Sequence, residues 1–355
     1  MVTTTVPVVL GWVWPPVLLA LVVWATPRVR RLPRSLLRRG VLYPVLVALA
    51  VSSVGGGYET IRETLDARAY PAPGQLVDVG GHRLHLQCTG TGSPTVVLEP
   101  GLGATSSDLG WIAPAVARDT RVCVYDRAGR GWSDPAAGPQ DAAHIAADLH
   151  ALLDQAQVPG PYVLAGHSFG GLYVLSFAAQ FPDQVAGLVL LDSTAPRPST
   201  DLSDGSETTP VLAGVAAVLP AAAHLGVGRL LAQFSYGTLP TDSQRAARAN
   251  ASTARYLASV IDEFLAGSAS VRQAAALTGL DGKPLIVVTA DTGHDSTWQA
   301  AQDDLARLST NSLHRVATAT THQSLLDDEG DSTAASQAIA DVVASVRSST
   351  RLAPR

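Results

Sequence analysis

The chain has 355 residues, 46% of them apolar and 15% charged, with a formal net charge of −5 at pH 7. Residues 1–57 hold six arginines and no acidic side chain, so the remainder, with 19 basic against 30 acidic residues, is distinctly acidic. That balance argues against nucleic acid as a partner. The absence of a glycine-rich phosphate loop, of zinc-spaced Cys/His clusters and of internal repeats leaves no cofactor and no metal to expect.

The amino terminus reads as membrane. Residues 6–25 (VPVVLGWVWPPVLLALVVWA) are free of charge and about long enough to cross a hydrocarbon core of roughly 30 Å. An arginine-rich segment follows, with Arg28, Arg30, Arg31, Arg34, Arg38 and Arg39, and then a second uncharged run over 41–57. Trp12, Trp14, Trp24 and Tyr43 suit interfacial depths. A cleaved leader carries its positive charge ahead of the apolar run, whereas residues 1–5 carry none. The favoured reading over 1–57 is therefore two transmembrane helices with a basic cytoplasmic loop, in a multi-pass cell-membrane protein. The positive-inside rule then turns everything after residue 58 to the extracytoplasmic side. One span plus an interfacial segment, and a cleaved leader, are the alternatives. Residues 58–74, with a short helical pattern before YPAPG, read as a linker.

Strand-like and helical stretches alternate from residue 75 onward. Strands are expected at QLVDV, RLHLQC, TVVLEP, RVCVYD, YVLAG, GLVLLD, PLIVVTA and HRVATA. The middle ones are continuous apolar runs, as in a sheet buried on both faces. Helical patterns fall at DAAHIAADLHALLDQA, GGLYVLSFAAQF, TWQAAQDDLARLS and AASQAIADVVASVR. This alternation predicts a mostly parallel sheet with helices on both sides. Residues 196–280 interrupt it and are too long for a loop. They read as a helical lid on a core formed by 75–195 and 281–355.

GHSFG at 166–170 sits between an apolar strand and a helix. With eight strands and a lid after the sixth, the chain from about residue 75 resembles the α/β-hydrolases, whose eight-stranded, mostly parallel sheet follows the order 1-2-4-3-5-6-7-8. The resemblance implies a nucleophile elbow at Ser168, strained and exposed at a strand-to-helix turn. Gly166 and Gly170 would avoid collisions there. It also implies a general base at His322, after the last strand, and an acid that orients it. Most relatives carry the acid after strand seven, where Asp291 and Asp295 flank the expected position. A branch resembling haloalkane dehalogenases carries it at the end of strand six, where Asp192 stands. Asp192 is favoured, with Asp295 and Asp291 as alternatives.

The backbone N–H groups of Phe169 and Leu102 are expected to form the oxyanion hole. The side chain of His167 should point away from the serine hydroxyl, and His82, His85 and His314 read as structural. In YDRAGRGWSDP, Asp126, Gly129, Gly131 and Ser133 should build a bracing turn, and Trp132 is a weak candidate for lining the substrate pocket. The family's sheet order makes the strands of Cys88 and Cys123 neighbours, so a disulfide is favoured in an oxidising compartment, with two separate buried thiols as the alternative.

A serine nucleophile implies acyl transfer. The apolar lid stretch 209–234 suggests a lipophilic carboxylic ester near the bilayer as substrate, although lid packing onto the core explains that stretch equally well. Two alternatives stay open. One is an aminopeptidase of the proline-iminopeptidase type, for which Asp262 and Glu263 are available to hold a substrate amine. The other is a non-catalytic, membrane-tethered ligand-binding protein.

Overall fold

The computed structural model describes residues 5–33, 38–196 and 218–354. Eight strands form one sheet: β1 (Gln75–Asp78), β2 (Arg83–Thr89), β3 (Thr95–Glu99), β4 (Val122–Tyr125), β5 (Tyr162–His167), β6 (Val185–Leu191), β7 (Leu285–Thr292) and β8 (Ser312–Thr321). Their order is β1-β2-β4-β3-β5-β6-β7-β8. Only the β1–β2 and β2–β4 pairings are antiparallel. Every residue of β3, β4 and β5 is buried, which is why their middles are continuous apolar runs rather than alternating, with Glu99 and His167 at the carboxyl ends of β3 and β5.

Alternate residues feed two cores. Val97, Leu164, Leu188 and Val287 face the helices α4 (Ala142–Gln155) and α5 (Gly170–Gln180) through Leu149, Leu152 and Phe177. Val96, Val163, Val189 and Ile286 face the opposite layer through Ile112, Ile339 and Val343. Ile112 lies on α3 (Ile112–Val116), and the other two lie on the last helix, Ser332–Ser348.

Before the sheet come α1 (Thr5–Arg31) and α2 (Tyr43–Ala69). The stretches Gly11–Arg31 and Gly40–Ala69 are long and apolar enough to cross a membrane. The expected boundary at residue 57 is not a break, because α2 continues through Gly55, Gly56 and Gly57 and makes most of the expected 58–74 linker helical. Glycine costs about 1 kcal/mol relative to alanine in a helix interior, but here it permits close packing. A Cβ on Gly56 would lie 2.0 Å from the Trp14 ring. Ser53 Oγ donates to Pro15 O at 2.7 Å and Thr60 Oγ1 to Gly11 O at 3.0 Å, tying the two helices together. Arg34 lies outside the described residues.

In the 196–280 insertion the structure describes α6 (Val227–Ala232), α7 (Thr241–Ala251), α8 (Ala254–Leu265) and α9 (Gly267–Ala274). Residues 197–217, and with them the start of the apolar stretch 209–234, lie outside the described residues.

Cys88 and Cys123 are register partners across β2 and β4. They are joined by a disulfide, with Cα atoms 4.0 Å apart. Thiol counting on denatured, unreduced protein from its native compartment should therefore find no free thiol, and a count of two would contradict the bond. Cys88→Ala with Cys123→Ala should cost about 2–4 kcal/mol of stability, since the cross-link closes a substantial loop of the unfolded chain.

Candidate active site

Ser168 follows β5 directly and adopts φ +56°, a left-handed conformation uncommon outside glycine. Backbone bonds hold it there: Ser168 N donates to Leu191 O, and Ser168 O accepts from Gly171 N and Thr194 N, all at 3.0–3.1 Å. The glycines on either side are sterically required. A Cβ on Gly166 would lie 2.6 Å from Gly170 O, and one on Gly170 would lie 2.3 Å from Glu99 O. Ser168 is partly exposed.

The fully buried Asp192, one residue past β6, points its carboxylate at His322 in the turn after β8, with His322 Nδ1 2.6 Å from Asp192 Oδ2. Burial by itself would raise the pKa of Asp192. Hydrogen bonds from His322, Trp298 and His294 outweigh that effect and hold it below the usual carboxylate range. Of the three aspartates in question, Asp192 is the one joined to His322. Asp295 instead caps α10 (Ser296–Ala306) by accepting from Trp298 N at 2.9 Å. Asp291 accepts from Thr292 Oγ1 and Thr320 N.

The His322 ring lies 4.6 Å, centroid to centroid, from that of His167, the neighbour of Ser168. No hydrogen bond joins Ser168 Oγ to His322. Contacts of this kind often tighten only when substrate binds. His167 Nε2 donates to the carbonyl of His322 at 2.9 Å and so braces the turn that carries it. Burial, reinforced by the charge of His322, pushes the pKa of His167 down to about 4, so its imidazole stays neutral.

The loop after β3 backs onto the serine, and a Cβ on Gly101 would lie 2.9 Å from Ser168 Cβ. Neither Leu102 N nor Phe169 N donates to another described residue. Arg127 pins this loop by donating to Pro100 O at 2.8 Å and Gly101 O at 2.7 Å. Lid helix α8 reaches the same place. Tyr256 Oη donates to Gly103 O at 2.6 Å, and Glu263 pairs with Arg127 and Arg130 at 2.7 Å. Sequence reasoning missed this buried set. Its signal was two arginines in a run otherwise read as a turn.

Two expectations change. Glu263 is fully buried and taken by two arginines, and Asp262 lines a groove with Arg255 and Gln140. Glu263 is thus not free to hold a substrate amine. Trp132 is not free to line a pocket, because its Nε1 donates to Tyr70 O at 2.9 Å and its ring packs on His85. The bracing turn is as expected: Asp126 accepts from Ser106 N and Trp132 N, and a Cβ on Gly131 would strike its carboxylate at 2.1 Å.

His294 was also missed. Its Nε2 lies 2.6 Å from Asp192 Oδ2, and its ring stacks on Trp298, whose Nε1 donates to Asp192 Oδ1 at 2.8 Å. Asp192, His294 and His322 form the one group among the described residues with three potential metal-ligating atoms within 4.8 Å of one another. Their shared hydrogen bonding at Asp192 Oδ2 accounts for that proximity without an ion.

A serine elbow at the carboxyl end of β5 in this eight-stranded sheet defines an α/β hydrolase. The chain belongs to the α/β-hydrolase fold family, whose model matches residues 94–329. An uncharacterised protein of Schizosaccharomyces pombe is 30% identical over 297 residues, covering 74% of this chain. The chain spans only 54% of that relative's length. Among solved structures, a thermophilic esterase from Thermogutta terrifontis aligns with a TM-score of 0.60 at 21% identity, covering 77% of this chain and 98% of its own. The epoxide hydrolase CorEH aligns at 0.58 and 19%, covering 73% and 96%. At such identities the likeness shows the fold alone.

Proposed function

We propose that this chain is a membrane-anchored serine hydrolase that cleaves a lipophilic carboxylic ester through an acyl-enzyme. The reading rests above all on the 2.6 Å contact from His322 Nδ1 to Asp192 Oδ2 beside the left-handed turn of Ser168. With Nδ1–H held by the carboxylate, His322 Nε2 is left as the base. Ser168 Oγ attacks the ester carbonyl carbon and its proton passes to Nε2. The oxyanion is received by the N–H groups of Leu102 and Phe169. Collapse expels the alcohol, which takes that proton. Water, deprotonated by His322, then attacks the acyl-enzyme and releases the acid and Ser168. Serine in place of an aspartate nucleophile favours the ester chemistry of the Thermogutta neighbour over epoxide opening.

A panel of ester and aminoacyl substrates of graded chain length tests the reading. Activity should rise with acyl length and be absent on aminoacyl amides. Turnover of amides alone would contradict it.

The chain divides, in this proposal, into a membrane hairpin over 1–57, whose second helix runs on through most of 58–74, a hydrolase core over 75–195 and 281–355, and a lid over 196–280. Reporter fusions check the orientation. A reporter at residue 35 should behave as cytoplasmic and one at the carboxyl terminus as extracytoplasmic. A cytoplasmic signal from the second would overturn the topology.

A further inference from the structure

The lid is fastened to the membrane hairpin. Arg229 of α6 is buried against α2, its Nε and Nη2 donating to both carboxylate oxygens of Glu59 at 2.9 and 2.8 Å and its Nη1 to Asp66 at 2.7 Å. One turn earlier in α2, a Cβ on Gly55 would lie 2.6 Å from Leu225 O, so the approach to α6 sits at the level of the uncharged run. Three apolar neighbours of Arg229 are exposed, Leu230 at 60%, Leu231 at 56% and Phe234 at 85%, with the exposed Gln233 among them. On α2 the exposed residues Val51, Val54, Tyr58, Ile61 and Leu65 recur at helical spacing and carry an apolar stripe past the end of the uncharged run. Arg62, beside that stripe, pairs with Asp66 at 3.5 Å.

We propose that this joint surface of α2 and the lid faces lipid, with α6 lying in the bilayer interface, so that the site draws its ester from the membrane. The proposal rests on the anchored-hydrolase reading above. Exposed aromatic and aliphatic side chains on a short helix, continuous with an apolar span, match an interfacial element. The same segment leads inward. Two residues after Phe234, Tyr236 Oη lies 3.4 Å from Tyr256 Oη, and Tyr256 donates to Gly103 in the loop that carries Leu102. The substrate class is therefore an ester whose acyl chain is already dissolved in the bilayer.

The test uses the full chain in phosphatidylcholine vesicles. Because the two native cysteines are joined, Leu231→Cys, Phe234→Cys or Ala344→Cys supplies a single thiol for an environment-sensitive fluorophore. Ala344, on the exposed side of the last helix, is the aqueous reference. At 231 and 234, quenching by aqueous iodide should be about fivefold weaker than at 344, with strong quenching by a lipid nitroxide near the headgroup. Adding Arg229→Ala should raise iodide access at both lid positions. Iodide quenching equal to that at 344 overturns the proposal. So does shielding from iodide without nitroxide quenching, which would mean that protein, such as a second copy of the chain, covers the face. Flotation with the vesicles tests the anchor separately: a chain that floats but has an iodide-accessible lid defeats this inference alone. The fluorescence needs no turnover, so a failure of the esterase assignment remains distinguishable.

Discussion

Replacing Ser168 with alanine is expected to lower ester turnover by about 10⁴–10⁶-fold while leaving the melting temperature unchanged. The loss is large because the attacking oxygen is removed, and the amides of Leu102 and Phe169 sustain only residual catalysis. Stability should hold because serine and alanine both have a Cβ and bear the same cost of a left-handed backbone, φ +56° here. Ser168→Gly should be as inactive yet more stable by about 1 kcal/mol, since glycine adopts that conformation freely. Turnover measurements paired with thermal melts check both expectations. An alanine variant that retains wild-type activity would remove the serine from the mechanism.

The next largest loss is expected from Asp192→Asn, about 10⁴-fold in kcat. Asparagine keeps the shape but presents an amide to the imidazole, so the tautomer with its proton on Nε2 becomes favoured and the base is lost. The carboxylate of Asp192 also accepts from His294 and Trp298, and the substitution forces these contacts to rearrange. Asp295→Asn and Asp291→Asn should cost far less in turnover. Asp295→Asn preserves a helix cap, since asparagine caps about as well as aspartate. Asp291 is bonded only to a threonine hydroxyl and backbone on β7 and β8. Comparable losses in all three variants would mean that the acid lies elsewhere.

Much of the sheet was legible because its signal is local. The eight apolar runs bounded by turn residues match the strands to within two residues at either end. Ser168 was legible because an elbow needs small residues on both sides, and the collisions at Gly166 and Gly170 show why. The carboxylate partner of His322 was legible only as a choice, since Asp192, Asp291 and Asp295 all end or follow strands and a contact spanning 130 residues leaves no local trace. His294 was passed over for the same reason. His294 follows Gly293, at φ +92°, and its contact with Asp192 spans 102 residues. The boundary at residue 57 was drawn where the uncharged run ends, whereas α2 runs on to Ala69, with Gly56 packed on Trp14. Arg127, Arg130 and Glu263 were hidden because charges are seldom buried, and only the fold shows that they fasten the lid to the loop beside Ser168.

The central claim is that Ser168 is an activated nucleophile, and covalent labelling tests it most directly. A fluorophosphonate probe applied to the full chain, followed by peptide mapping, should place the adduct on Ser168. Labelling should fall strongly in His322→Ala, which removes the base. An adduct on another residue, or undiminished labelling of Ser168→Ala, would contradict the account.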